Sequence, residues 1–188
     1  VRVLRLDLVC AGKYRLSFYL VWSHFGLLNG DSAMSALEPT PFIWFDGKLV
    51  PWNEAKVHVL SHALHYGTSY FEGIRAYRCP AGGSAVFRLK DHMRRFLNSG
   101  KILGLPCAYD LPALEKAVID TLVANKLEAG YIRPLAFAGY GGMGVLPDGN
   151  PLQIIIAVWP WGAYLGAEGM DKGVRVKTSS FNRIHPNA

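Results

Sequence analysis

Cysteine is scarce in this 188-residue sequence: Cys10, Cys79 and Cys107 lie far apart and form no C-x-x-C pair. That spacing indicates neither a disulfide framework nor a thiolate metal site, and it suits a reducing, cytoplasmic compartment. Long apolar runs are missing too. The longest, residues 152–161, includes Gln153 and Pro160 and falls well short of the ~20 residues needed to span a bilayer. Nor is there a basic stripe: the formal net charge is +6, yet only Arg94 and Arg95 sit side by side. A nucleic-acid surface would show clustered Lys and Arg interleaved with aromatics. Neither nucleic acid nor membrane is therefore an expected partner, and the positive charge is matched instead to small anions such as a phosphate or an acidic substrate.

Residues 1–33 stand apart from the rest. They carry Arg2, Arg5, Lys13 and Arg15 among Leu, Val, Phe and Trp, with only Asp7 and Asp31 for acid. A targeting segment would need an uninterrupted apolar region, which Lys13 and Arg15 divide. The stretch is read as an upstream or vector-derived extension, without strand or helix periodicity, ahead of a native start at Met34.

From Pro41 the pattern sharpens. Asp46-Gly47 between two apolar runs is a hairpin signal, because both central residues of a type I′ turn need positive φ. Residues 72–77 and 85–89 read as a second strand pair across the breaker-rich loop 79–84. Asp91 is expected to cap a helix with Met93, Phe96, Leu97 and Gly100 on one face. Asp110 is expected to cap another, with Leu111, Leu114, Val118, Thr121 and Leu122 inward, ending near Asn125. Strands are predicted at 131–138 and 152–159, and a further one begins at 174–178. Paired strands with two helices between them imply an α+β domain with a mainly antiparallel sheet.

Several motifs invite chemistry and resist it. Gly139-Tyr140-Gly141-Gly142-Met143-Gly144 fits G-x-G-x-x-G, but the Pro147 and Pro151 that follow forbid the helix a dinucleotide site requires. Its glycines are read as allowing a tight loop or a close backbone approach. His58, His62 and His65 have helical spacing, yet Val59 stands where a zinc hydrolase motif needs glutamate, so structural roles are expected and no metal is assigned. His65 is a candidate for orienting Tyr66. Arg95 points away from its helix's apolar stripe, as a solvated residue does, although an arginine facing a cleft offers a fork of donors suited to phosphate. Arg133 reads either as an edge-strand arginine with a packed stem or as a buried cation awaiting an anion among Tyr66, Phe71, Tyr131, Trp161 and Tyr164.

Five segments in order, residues 57–75, His92-Met93-Arg94-Arg95, Tyr131-Ile132-Arg133-Pro134-Leu135, Gly142-Met143-Gly144-Val145 and residues 160–166, resemble the branched-chain amino acid aminotransferases, pyridoxal 5'-phosphate enzymes of fold type IV. The resemblance implies that Arg95 holds the cofactor phosphate and that Phe71, Gly73, Trp161 and Tyr164 line the substrate side-chain pocket. It implies that Tyr131 hydrogen-bonds the substrate carboxylate, and that Arg133 with Tyr66 and Tyr164 receives the distal carboxylate of glutamate. Tyr66 and Val145 would reach across from a neighbouring subunit in a homodimer or higher homo-oligomer.

The activity implied is transamination of L-leucine, L-isoleucine and L-valine with 2-oxoglutarate, through glutamate and the branched 2-oxo acids. In that family the catalytic lysine follows soon after the segment matching residues 179–187, so no catalytic residue is expected within this sequence and the fragment is expected to be inactive alone. The matching organisation is a small N-terminal domain at 34–160, a linker at 161–169 and the start of a truncated α/β domain at 170–188. The same fold type also hosts D-amino acid aminotransferase and aminodeoxychorismate lyase, which residues 71–75 and 161–164 match less well. A non-catalytic product of a truncated gene is the non-enzymatic alternative.

Overall fold

A computed structural model describes residues 2–10, 14–22, 37–80, 82–161, 169 and 171–181. The chain divides into two units, Val1–Ala36 and Leu37–Ala188. In the first, strands β1 (Arg2–Cys10) and β2 (Tyr14–Trp22) pair antiparallel. This corrects the expectation that the segment lacks periodicity. Leu4, Leu6 and Leu8 fall opposite Leu20, Phe18 and Leu16, while Arg5 and Asp7 alternate with them opposite Tyr19 and Ser17. The period of two was obscured by Val3 and Val9, apolar residues at the polar parity.

The second unit runs β3 (Phe42–Phe45), β4 (Lys48–Pro51), a 3₁₀ turn (Trp52–Glu54), α1 (His62–Tyr66), β5 (Ser69–Phe71), β6 (Ile74–Arg78), β7 (Ser84–Val86), α2 (Leu89–Ile102), α3 (Leu111–Ala124), β8 (Gly130–Ala138) and β9 (Leu152–Trp159). The strands form one antiparallel seven-stranded sheet in the order β4-β3-β9-β8-β6-β7, with β5 also paired to β8. The α+β expectation holds. Helix α1 is additional, since its five residues are too few to show a period.

Local chemistry sets the boundaries. Asp46 (φ 44°) and Gly47 (φ 91°) make the hairpin turn, and Asp46 is tied to β9 by bonds in both directions with Ile154. Asp110 caps α3, its Oδ1 accepting from Ala113 N at 2.9 Å; losing such a cap typically costs about 1 kcal/mol. Asp91 is not a cap. Helix α2 starts two residues earlier, and Asp91 lies in its first turn, where its carboxylate accepts from Arg88 Nε and Arg94 Nη1. Acids in a first turn also favour the helix dipole, which is why the sequence signal was ambiguous.

The strand expected at 72–77 starts only at Ile74, and a separate short strand, β5, ends at Phe71. β5 and β6 pair with β8 in one continuous register, but the ladder lapses at Glu72 and Gly73. Glu72 N donates to Pro134 O at 3.0 Å, and Pro134, having no N–H, cannot return the bond. Residues 174–178 form no strand. They are exposed, and among the described residues nothing pairs with them, so no ladder forms.

Helices α2 and α3 cover one face of the sheet. Met93, Phe96, Leu114, Val118 and Leu122 pack there with Ile74, Ile132, Ala136, Ile154, Ile156 and Val158. The other face carries a smaller cluster of Ile43, Ala157 and Trp159, flanked by Tyr131 and Trp161. No described helix is long and apolar enough to cross a membrane.

Candidate active site

Alternation along β8 sends Ile132 and Pro134 into the buried core and leaves Tyr131 and Arg133 on the opposite face. Arg133 is not the edge-strand arginine considered above, because β8 is flanked by β9 on one side and by β5 and β6 on the other. Its guanidinium carbon lies 4.5 Å from the centroid of Phe71 and 5.2 Å from that of Tyr131. Nη2 donates to the Tyr131 hydroxyl at 3.0 Å, whereas Nε is buried without a hydrogen-bond partner among the described residues. A buried donor left unmade costs about 1–3 kcal/mol, more when charged, so this cation is poised for an anionic acceptor.

Tyr131 in turn stacks at 5.0 Å on both Trp159 and Trp161, and Arg75 Nη2 donates to Trp161 O at 3.1 Å. Gly73 lies directly against Tyr131. A Cβ there would sit 3.2 Å from Cζ and closer still to the hydroxyl, so only glycine lets the phenol lie over the strand. Phe71, Gly73, Tyr131, Arg133 and Trp161 thus come together. Tyr164 lies outside the described residues.

Arg95 belongs to a second cluster. Glu72, buried between Phe71 and Gly73, accepts from Arg95 Nε at 2.5 Å and Nη2 at 2.6 Å, and from His92 Nδ1 at 3.0 Å. Burial alone would raise the Glu72 pKa, but the hydrogen bonds and charges of Arg95 and His92 outweigh it and hold the carboxyl below its ordinary range. Among the described residues nothing accepts from Arg95 Nη1, which keeps both hydrogens unused. Those free donors fit a phosphate, so the residues present match that end of pyridoxal phosphate.

Tyr66 and Val145 form a third group. Buried His62 bonds Thr68 Oγ1 at 2.8 Å and Gly144 O at 2.7 Å, tying α1 to the glycine loop, and its ring lies 4.5 Å from that of Tyr66. The Tyr66 hydroxyl donates to Met143 O at 3.0 Å, and Val145 is 77% exposed. No hydrogen bond or ring contact joins Tyr66 to Arg133 among the described residues. His62, not His65, orients Tyr66; His65 bonds Val59 O instead. None of the described residues forms a cluster fit to hold a metal. The glycine loop opens no helix, as expected; Gly139 and Gly141 make room for the Gln153 and Asn150 side chains.

Sequence reasoning gave His62 the structural role it has, and missed Glu72, Arg75 and His92. Glu72 had a signal: it shares strand parity with Tyr70 and Ile74, both inward, so an acid there must have a buried partner.

The sequence and the fold both match known proteins. The family described as Amino-transferase class IV matches residues 69–188. The branched-chain-amino-acid aminotransferase of Salmonella typhimurium is 51% identical over 147 residues, covering 78% of this chain and 47% of that protein. The Pseudomonas aeruginosa counterpart is 44% identical over 154 residues, covering 82% of this chain and 50% of its own length. Among solved structures, the Escherichia coli branched-chain amino acid aminotransferase superposes with a TM-score of 0.76 at 49% identity, covering 79% of this chain and 49% of that one. The T.th. branched-chain amino acid aminotransferase, solved with N-(5'-phosphopyridoxyl)-L-glutamate and with 4-methylvaleric acid, gives 0.63 at 47% identity, over 65% of this chain and 41% of that one. The chain spans about half the length of the relatives it matches. With a matching family profile, a shared sheet and about half of the aligned residues identical, this chain belongs to the class IV aminotransferases and is similar throughout the matched region to the branched-chain amino acid enzymes of that family.

Proposed function

We propose that this chain provides the substrate-pocket wall and a phosphate-binding arginine of a pyridoxal phosphate-dependent transaminase for L-leucine, L-isoleucine and L-valine, with glutamate and 2-oxoglutarate as the recycling pair. The observation that carries this reading is Arg133, a cation laid between Phe71 and Tyr131 with a buried Nε that lacks an acceptor. One pocket must take both aliphatic and anionic side chains in such a reaction. Phe71, Tyr131 and Trp161 offer apolar faces to a branched chain, and Arg133 offers its spare donor only when a second carboxylate arrives. The T.th. relative, solved with both a glutamate adduct and 4-methylvaleric acid, is consistent with such a pocket.

The cofactor, when bound, supplies the electron sink that makes the α-proton of an amino acid removable. This chain's part is to bind and orient. Arg95 holds the phosphate through Nη1, Tyr131 donates to the substrate α-carboxylate, and Gly73 leaves room for that phenol. Tyr164 is assigned to the pocket wall by resemblance alone. Tyr66, whose hydroxyl donates to Met143 O in the loop that carries the exposed Val145, makes no hydrogen bond or ring contact with Arg133 among the described residues; with Val145 it would complete the site of a second copy, giving a homodimer or larger assembly. The lysine that moves the proton would come from sequence matching the relatives' second half.

The test is a substrate panel on a hybrid completing this chain with the second half of the Escherichia coli relative. L-leucine, L-isoleucine and L-valine should be turned over with 2-oxoglutarate, and D-alanine and aminodeoxychorismate should not. Preference for either of the latter would replace this reading with the corresponding class IV activity.

A further inference from the structure

The Arg95 to Glu72 pair joins an exposed side chain to a buried one: Arg95 is 67% exposed and Glu72 only 5%. Pairs in which both partners are solvated carry little energy and no fixed orientation. Here the carboxylate is immobile. Its backbone is bonded to Pro134 O, it stands between β5 and β6, and both oxygens are engaged. Because an ionised carboxylate only accepts, His92 must carry its proton on Nδ1, and this third bond stops the carboxylate from rotating away from Arg95.

The pairing is side-on. Nε and Nη2 face Glu72, which turns Nη1 outward with its two hydrogens free of any partner among the described residues. An end-on pairing through Nη1 and Nη2 would have consumed the outward donors. A buried carboxylate is seldom the most stabilising choice at a core position, since apolar replacements of a buried ion pair are often neutral or better. Its directional role is what an apolar residue could not supply. Glu72 also lies between Phe71 and Gly73, both on the Arg133 side of the strand, so one short strap fixes the anion site and the substrate pocket relative to each other.

We propose that Glu72, steadied by His92, is the positioning residue of the phosphate site, holding Arg95 by its Nε–Nη2 edge so that Nη1 meets the cofactor phosphate. This rests on the assignment of Arg95 to the phosphate made above.

The experiment uses the 188-residue chain, with arginine side-chain NMR reporting on Arg95 while pyridoxal phosphate, pyridoxal or inorganic phosphate is titrated. In the unmodified chain the Arg95 Nε–H signal should be downfield and slow to exchange, and Glu72→Gln should abolish that. Glu72→Gln should weaken pyridoxal phosphate about tenfold or more, as loss of an outer partner of a ligating side chain does, and leave pyridoxal unchanged. In an Arg95→Gln background the Glu72 substitution should have no further effect. Glu72→Asp, which keeps the charge but retracts it, guards against misfolding of the first variant and should give an intermediate loss. If neither the phosphate nor its cofactor moves Arg95, the phosphate assignment falls and this inference with it. If Arg95→Gln weakens binding and the Glu72 variants do not, the inference alone falls. Equal weakening of pyridoxal phosphate and pyridoxal would make Glu72 a residue of the fold, and also overturn it.

Discussion

Replacing Gly73 by alanine adds one methyl group at a place with no room for it. The new Cβ would stand 3.2 Å from Tyr131 Cζ and overlap its hydroxyl, so the phenol must retreat by about 1 Å to reach ordinary van der Waals separation. Retreat is opposed by the 5.0 Å stacks on Trp159 and Trp161 and by the 3.0 Å bond from Arg133. Overpacking of this kind costs about 1–3 kcal/mol, and a displacement of about 1 Å in a positioning group can cost about 100-fold in rate. Gly73→Ala should therefore lower the melting temperature of this chain by several degrees, with loss of near-ultraviolet circular dichroism from the Tyr131 and tryptophan stack. In the completed hybrid it should lower kcat/KM for leucine and glutamate alike. Adding Tyr131→Phe removes the overlapping oxygen and should restore most of the stability but not the activity. An unchanged melting curve for Gly73→Ala, or no recovery in the double variant, would refute the close-approach argument.

Two other expectations concern stability. The folded-state pKa of Glu72 is depressed, so the stabilisation it gains from Arg95 and His92 is complete above its unfolded value near 4.5 and is lost as pH falls through the folded value. Denaturant unfolding should show the gap between the natural chain and Glu72→Gln widest near neutrality and closing at acid pH; a constant gap would contradict the ion pairing. Deleting residues 1–36, whose described strands pair only with each other, should shift the melting temperature of the remainder by less than about 2 °C, and a loss of several degrees would show that the segment supports the sheet.

Much of the sheet was legible because its residues state their own geometry. Asp46-Gly47 specifies a turn by its φ requirement, Asp110 a cap by its chemistry, and the face of α2 appears in the spacing of Met93, Phe96 and Gly100. What escaped depends on long-range pairing. The break between β5 and β6 is caused by Pro134, far away in sequence, and the start of α2 by a left-handed Arg88 that no periodicity announces. The same holds for the site. Phe71, Tyr131 and Arg133 were legible as residue types suited to an anion-tolerant aromatic pocket, while their assembly into one required the register of β5 and β6 on β8. Arg95 looked solvated on its helical wheel, and only the strand parity of Glu72 could have shown that it has a buried partner.

The central claim, dual recognition by one arginine, is tested most directly by Arg133→Met in the completed hybrid, following each half-reaction separately in single-turnover experiments. Losing a buried, charge-assisted contact costs about 2–5 kcal/mol, so the glutamate half-reaction should slow by about 30-fold to several thousand-fold while that with leucine, held by Phe71, Tyr131 and Trp161, changes little. Equal losses with leucine and glutamate would mean that Arg133 is structural or binds the carboxylate common to both, and would contradict the account.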